Sequence, residues 1–177
     1  MGVQQSGCGA CQCQSPARSS PTDAVLSPDR AARLLIVSEP YEINDEEFAS
    51  VSALEGRQRF EHLLKRVCDT ETVFLLIDDD DGLVVLADEE NAEPPQVPVW
   101  PHPRYADAYR ASFGGGAGNG PMELTEFVDD VLPHLAQEGA NVSVMPTQQK
   151  TAVVIAADEL RKAIISYHEE WYGGWPK

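Results

Sequence analysis

Between Thr72 and Leu86 the chain reads Thr-Val-Phe-Leu-Leu-Ile, then four aspartates and a glycine, then Leu-Val-Val-Leu, and this stretch restricts the possible folds more than any other. The first run is β-branched and apolar, too short for a buried helix, and it stops at a segment rich in turn formers. It predicts a strand, a tight turn at Asp78–Gly82 and a second strand over Leu83–Leu86, with Gly82 supplying a positive φ at the turn. The pattern returns near the C-terminus, where Val142–Met145 and Ala152–Ile155 flank Pro146-Thr147-Gln148-Gln149-Lys150. A sheet built from such hairpins is largely antiparallel, because parallel neighbours need long crossovers.

The intervening segments carry helical periodicity. Asn44 precedes Asp45, Glu46 and Glu47, an N-cap followed by carboxylates suited to the positive end of a helix dipole. Arg57–Cys68 sets Phe60, Leu63, Leu64 and Val67 on one face. Tyr105–Ser112 also reads as helical, and Thr125–Ala136 is amphipathic, with Pro133 either kinking it or starting a second helix. A last helix from Asp158 to about Tyr172 meets its stop at Gly173-Gly174. Pro94, Pro95 and Pro98 interrupt regular structure before a short extended segment ending at Trp100, and Gly114–Gly120 reads as a flexible loop. Hairpins mixed with helices, without repeated strand-helix-strand units, predict an α+β domain with a mostly antiparallel sheet and flanking helices.

At 177 residues the chain suits one such domain plus extensions. Residues 1–26 are rich in Gly, Gln, Ser and Pro, and they hold too little apolar surface to offset the entropy of ordering. They are expected to be a disordered tail carrying Cys8, Cys11 and Cys13. Ser27-Pro28-Asp29 is a helix-start signal, so residues 27–40 read as a short helix and linker, 41–172 as the domain and 173–177 as a C-terminal tail.

With 13 Lys and Arg against 29 Asp and Glu, the net charge is −16, which argues against nucleic acid and against direct attraction to anionic lipid. No stretch approaches the roughly 18 apolar residues of a membrane span. Three clustered cysteines and a solitary Cys68 make no disulfide framework, and a reducing, cytoplasmic location fits.

A resemblance to a known family rests on several runs. Asn44-Asp45-Glu46-Glu47-Phe48, Arg59-Phe60 with Leu64-Lys65-Arg66-Val67, and Thr72-Val73-Phe74-Leu75 with Asp80-Asp81-Gly82 form the first group. Val97-Pro98-Val99-Trp100-Pro101-His102-Pro103 with Tyr105-Ala106, and Leu124-Thr125-Glu126-Phe127 with Leu132-Pro133-Leu135, form the second. Over residues 40–170 the chain resembles the bacterial family known as domain of unknown function 2750. The resemblance implies an α+β fold and supplies no catalytic residues.

The candidate chemistry is sparse. Met1-Gly2 with Ser6 fits N-myristoylation of Gly2, and Cys8, Cys11 and Cys13 behind it could take the second acyl chain that stable anchoring needs. A chance Met-Gly start on a tail is the plain alternative, and the modification requires a eukaryotic host. Cys8-x-x-Cys11-x-Cys13 offers three thiolates where a closed zinc site wants four ligands; the nearest others, His62 and Cys68, lie in a helix. Setting Gly82 at the sixth position of a calcium loop puts Ile77 at the first and Asp88 at the last, so the aspartate run fits a solvated turn better. The Gly114–Gly120 run lacks the Lys-Ser or Lys-Thr of a phosphate loop.

His102, between two prolines beside Trp100, is the one histidine whose setting suggests the rim of a pocket. Tyr167, Trp171, Tyr172 and Trp175 read mainly as core packing of the last helix, with a binding face as the alternative. No nucleophile turn, metal ligand set or cofactor motif is present. The expectation is a non-catalytic binding or regulatory module with a protein partner, tethered to the cytosolic face of a membrane if its tail is acylated. Two alternatives stand beside it: an acidic immunity-type inhibitor of a basic toxin, and an enzyme with a site near His102.

Overall fold

A computed structural model describes residues 41–78, 82–86, 93–111, 117–148 and 152–176. The expected tail, the helix and linker before Tyr41, and Asp79–Asp81 of the turn lie outside the described residues.

Five strands form one sheet: β1 (Thr72–Ile77), β2 (Gln96–Trp100), β3 (Gly118–Glu123), β4 (Asn141–Val144) and β5 (Val153–Ala156), in the order β3-β1-β2-β4-β5. All neighbours are antiparallel except β2 and β4, which run parallel, as the long connection between them permits. Val73, Phe74, Leu75 and Leu76 are all buried, and since successive side chains alternate faces, both faces of β1 are covered. Helix α1 (Asp45–Ser52) leads into α2 (Gly56–Thr70), which packs against β1, β4 and β5. Helix α3 (Pro103–Arg110) packs against β1, β2 and β3. The last helix, α6 (Ala157–Tyr172), lies against α2, β4 and β5.

The helix ends follow the sequence signals. Asn44 accepts from Glu47 N at 2.8 Å as the α1 N-cap, and Gly173 ends α6 in the left-handed region at φ 84. The amphipathic stretch around Pro133 is helical in three pieces: α4 (Leu124–Glu126), a π-helical turn (Phe127–Val131) and α5 (Leu132–Gln137). Pro133 has no amide to give Asp129 and its ring crowds that carbonyl, which widens the turn. Leu132 N therefore reaches back five residues to Phe127 O, and the Val128 carbonyl it would otherwise use accepts from Arg161 Nε at 2.9 Å. A bond from α6 thus compensates the widened turn.

Several expectations are corrected. The main partner of β1 is β3, paired over six positions from Thr72↔Glu123 to Ile77↔Gly118; Leu83–Leu86 contributes only the bridges Ile77↔Leu83 and Leu86↔Gln96. The glycine run read as a loop is in the sheet from Gly118 onward, and the Ile77 side chain lies over Gly120, where a Cβ would meet Cδ1 at 2.1 Å. Gly82 is not among the positive-φ glycines of the described residues. Its amide instead donates to Asp78 Oδ1 at 2.8 Å while Asp78 N donates to Gly82 O, so a side chain closes the turn. Trp175, beyond the end of α6, packs partly against the core, as the reading of the C-terminal aromatics expected.

Candidate functional site

Trp100 and His102 sit at the junction of β2 with α3. Trp100 is fully enclosed, tilted against Tyr109 at 5.3 Å, and its Nε1 donates to Pro146 O at 3.2 Å. It is a core residue, not the rim of a pocket. Arg59, equally enclosed, donates from Nη1 to the carbonyl of the preceding residue, Met145, at 2.6 Å. Two residues from separate family-like runs therefore fix consecutive carbonyls where the chain leaves β4.

His102 is 7 % exposed, and both ring nitrogens are engaged. Nδ1 accepts from Arg104 N at 3.1 Å, which makes His102 the N-cap of α3, with Pro103 at the first helical position. Nε2 then carries the proton and donates to Tyr41 O at 2.7 Å. Protonating Nδ1 would destroy the cap, and burial pushes the imidazole below its usual range despite the Tyr41 carbonyl, which pulls the other way. A ring used at both nitrogens has none left for general base catalysis.

Around it the three helices are laced together. Arg66 stacks over Tyr41 at 4.5 Å and pairs with Glu47 at 2.9 Å; Arg104 stacks over Phe48 at 4.7 Å and bonds Asp45 and the Ile43 carbonyl. Enclosed within this junction, the hydroxyls of Tyr41 and Tyr105 and Nε2 of His62 have no hydrogen-bond partner among the described residues. Burial raises the Tyr105 phenol far above its usual range and lowers His62, so all three groups are held neutral. The thiol of Cys68, buried in α2, is pushed up to about 11, which leaves it a poor nucleophile and a poor metal ligand.

The open chemistry lies at the C-terminal end of α6. Trp171 is 66 % exposed and Tyr172 46 %, against the expectation that these aromatics fill the core. Tyr167 and Trp175 do pack partly against the core. Tyr167 lies 6.1 Å from Trp171, one helical turn on, and Tyr172 stacks on His168 at 5.0 Å. The Tyr172 hydroxyl donates to Asp69, and that bond to a carboxylate raises the phenol to about 12. Glu169 and Glu170 are exposed beside it.

Next to this face is a cleft of about 220 Å³ whose walls include Glu71, Glu123, Thr125, His168 and Trp175. The fold builds it from three places: Glu71 is the α2 C-cap, Glu123 ends β3, and Leu124 N donates to Glu71 O at 2.9 Å, clamping the two segments together. Trp175 is held by a bond from Nε1 to Asp129 at 3.2 Å. One hint of this site is legible in the sequence, the aromatic spacing of the last helix, and none of the cleft, whose two carboxylates lie far apart along the chain.

Gly2, Cys8, Cys11 and Cys13 lie outside the described residues. Among the described residues no group of three His, Cys, Asp or Glu side chains could hold a metal ion, and no helix is long and apolar enough to cross a membrane. No curated protein and no solved structure matches the chain. A family model described as protein of unknown function (DUF2750) matches residues 60–164, more than half of the chain and including Trp100, His102 and both carboxylates of the cleft, and the chain belongs to that family.

Proposed function

We propose that this protein is a non-catalytic binding module that docks a basic segment of a partner protein on the aromatic end of α6. The observation that carries the reading is Trp171, 66 % exposed beside the half-exposed Tyr172 in a chain of net charge −16. Large aromatics left in water beside one another are unusual on a surface that needs no partner, and Trp and Tyr are the side chains that most often anchor interfaces. Asp69, Glu169 and Glu170 give this face its sign, so the complementary surface is cationic and apolar. An acidic inhibitor of a basic toxin is one form of the same physics. An enzymatic centre at His102 draws no support from a ring whose nitrogens both serve the backbone.

The tail belongs to the same proposal. Acylation at Gly2 and at one or more of Cys8, Cys11 and Cys13 would hold the module at a membrane that its charge does not favour.

Calorimetric titration with a synthetic Arg/Lys-rich amphipathic peptide, beside its Glu-substituted counterpart, tests the docking. The basic peptide should bind, weaken with added salt, and lose about thirtyfold in affinity on Trp171→Ser, the effect of removing a hot spot worth about 2 kcal/mol. Equal binding of the two peptides, or no loss in the variant, refutes the reading.

A further inference from the structure

The cleft beside the aromatic face is lined by groups that accept hydrogen bonds. His168 is only 6 % exposed, and its Nδ1 faces the Gly174 carbonyl at 2.7 Å. A carbonyl can only accept, so Nδ1 carries a proton, and in the neutral ring Nε2 keeps its lone pair. Nε2 has no hydrogen-bond partner among the described residues, on a ring that forms part of the cleft wall. Nε2 is not among the enclosed polar atoms of the described residues that lack a partner, so it reaches solvent, and on a ring that lines the cleft it is an open acceptor there.

The carboxylates of Glu71 and Glu123 add negative charge to the same wall. Glu71 occupies the left-handed region at φ 51, where glycine is favoured, and its carbonyl is tied to Leu124 N. Its backbone is thus held beside the cleft by a conformation that a carboxylate side chain does nothing to favour. Trp175 contributes an aromatic surface in a fixed orientation, with its edge relation to His168 at 5.3 Å and its Nε1 bonded to Asp129.

These features select the ligand. An aromatic surface with carboxylates and an imidazole lone pair attracts a cation that also carries N–H donors. The volume, about 220 Å³, lies below the roughly 300 Å³ at which pockets for whole small molecules begin, so it suits one side chain and not a cofactor.

We infer that the cleft formed by Glu71, Glu123, His168 and Trp175 receives a single arginine or lysine side chain of the basic partner. This rests on the docking reading above and gives it a specificity pocket. The aromatic face supplies apolar contact, and the cleft reads one cationic side chain next to it. Guanidinium or ammonium donors meet the two carboxylates and His168 Nε2, with the stem of the side chain against Trp175.

The test is an NMR titration of the full chain with L-argininamide, using L-citrullinamide as the neutral isostere and sodium chloride to match ionic strength. The Trp175 indole N–H resonance should shift saturably with argininamide and stay in place with citrullinamide. Glu123→Gln, at an exposed position, should weaken argininamide binding about tenfold, as loss of a charged hydrogen-bond partner does. His168→Phe should weaken it as well. Citrullinamide acting as well as argininamide, or an unaltered affinity in Glu123→Gln, overturns the inference. Binding of the basic peptide through Trp171 without an argininamide response refutes the pocket alone; an argininamide response without peptide binding refutes the docking face and leaves the pocket standing.

Discussion

Replacing Trp100 by phenylalanine distinguishes a core residue from a site residue. The indole is completely enclosed, lies opposite Phe74 in the β1–β2 pairing, packs on Tyr109, and donates to the Pro146 carbonyl at 3.2 Å. Phenylalanine preserves an aromatic ring in that space and removes the donor. Leaving the Pro146 carbonyl unpaired costs about 1–3 kcal/mol. The volume lost, roughly 40 Å³, adds about 1 kcal/mol at ~24 cal/mol per Å³ of cavity. Together these give about 2–4 kcal/mol, which at about 3 °C per kcal/mol lowers the melting temperature by roughly 6–12 °C. Urea unfolding followed by far-UV circular dichroism reads the change without relying on the indole that has been removed. The slope against urea should be unchanged, because the surface exposed on unfolding is nearly the same. Binding of the basic peptide by the folded variant should also persist, since the docking face is on α6. A loss below about 0.5 kcal/mol, within the range of an ordinary surface substitution, would refute the assignment of Trp100 to the core.

Two further outcomes follow from the charges. Burial lowers the folded pKa values of His102 and His62 below the ordinary 6.5, so the unfolded state binds their protons more readily; the stability they contribute is full above about pH 6.5 and is lost as pH falls from there through the lower folded values. His102→Asn keeps a capping side chain and removes one titration, so urea midpoints measured at pH 7.5 and 5.5 should differ less in the variant than in the unaltered chain, and equal differences would contradict the His102 assignment. In a eukaryotic cell Gly2→Ala should move the protein from the membrane fraction to the soluble fraction, and replacing Cys8, Cys11 and Cys13 together by Ser should leave it only transiently bound; an unaltered chain that is already soluble on fractionation removes the tether from the proposal.

What the sequence determined is what short-range physics controls. Asn44 before three carboxylates, Gly173 after the last helix, and the apolar spacing of Phe60, Leu63, Leu64 and Val67 each specify a local conformation from neighbours a few residues away, and each element is where those signals put it. The α+β class followed, because alternating hairpin and helix signals leave few ways to bury both kinds of apolar face. Pro133 was legible as a disruption, but the form it took depended on Arg161, 33 positions from Val128, being there to donate to the freed carbonyl.

Tertiary structure decided everything that depends on which distant segments meet. The glycines at 118 and 120 look like a loop because they lack side chains, and they form a strand because β1 pairs with them, with the Ile77 side chain lying over Gly120. His102 looked like a pocket residue from its two flanking prolines; it caps α3 through its own neighbour Arg104, and its second nitrogen was engaged only because Tyr41, 61 residues earlier, lies against it. The cleft shows the same rule most clearly. Glu71 and Glu123 are unremarkable acidic residues in a chain full of them, and only the register that places Thr72 opposite Glu123 brings both beside His168 and Trp175. Local signals set the conformation of each segment because they act through the backbone within one turn; the site arises from strand register and chain reversal, which no window of neighbouring residues encodes.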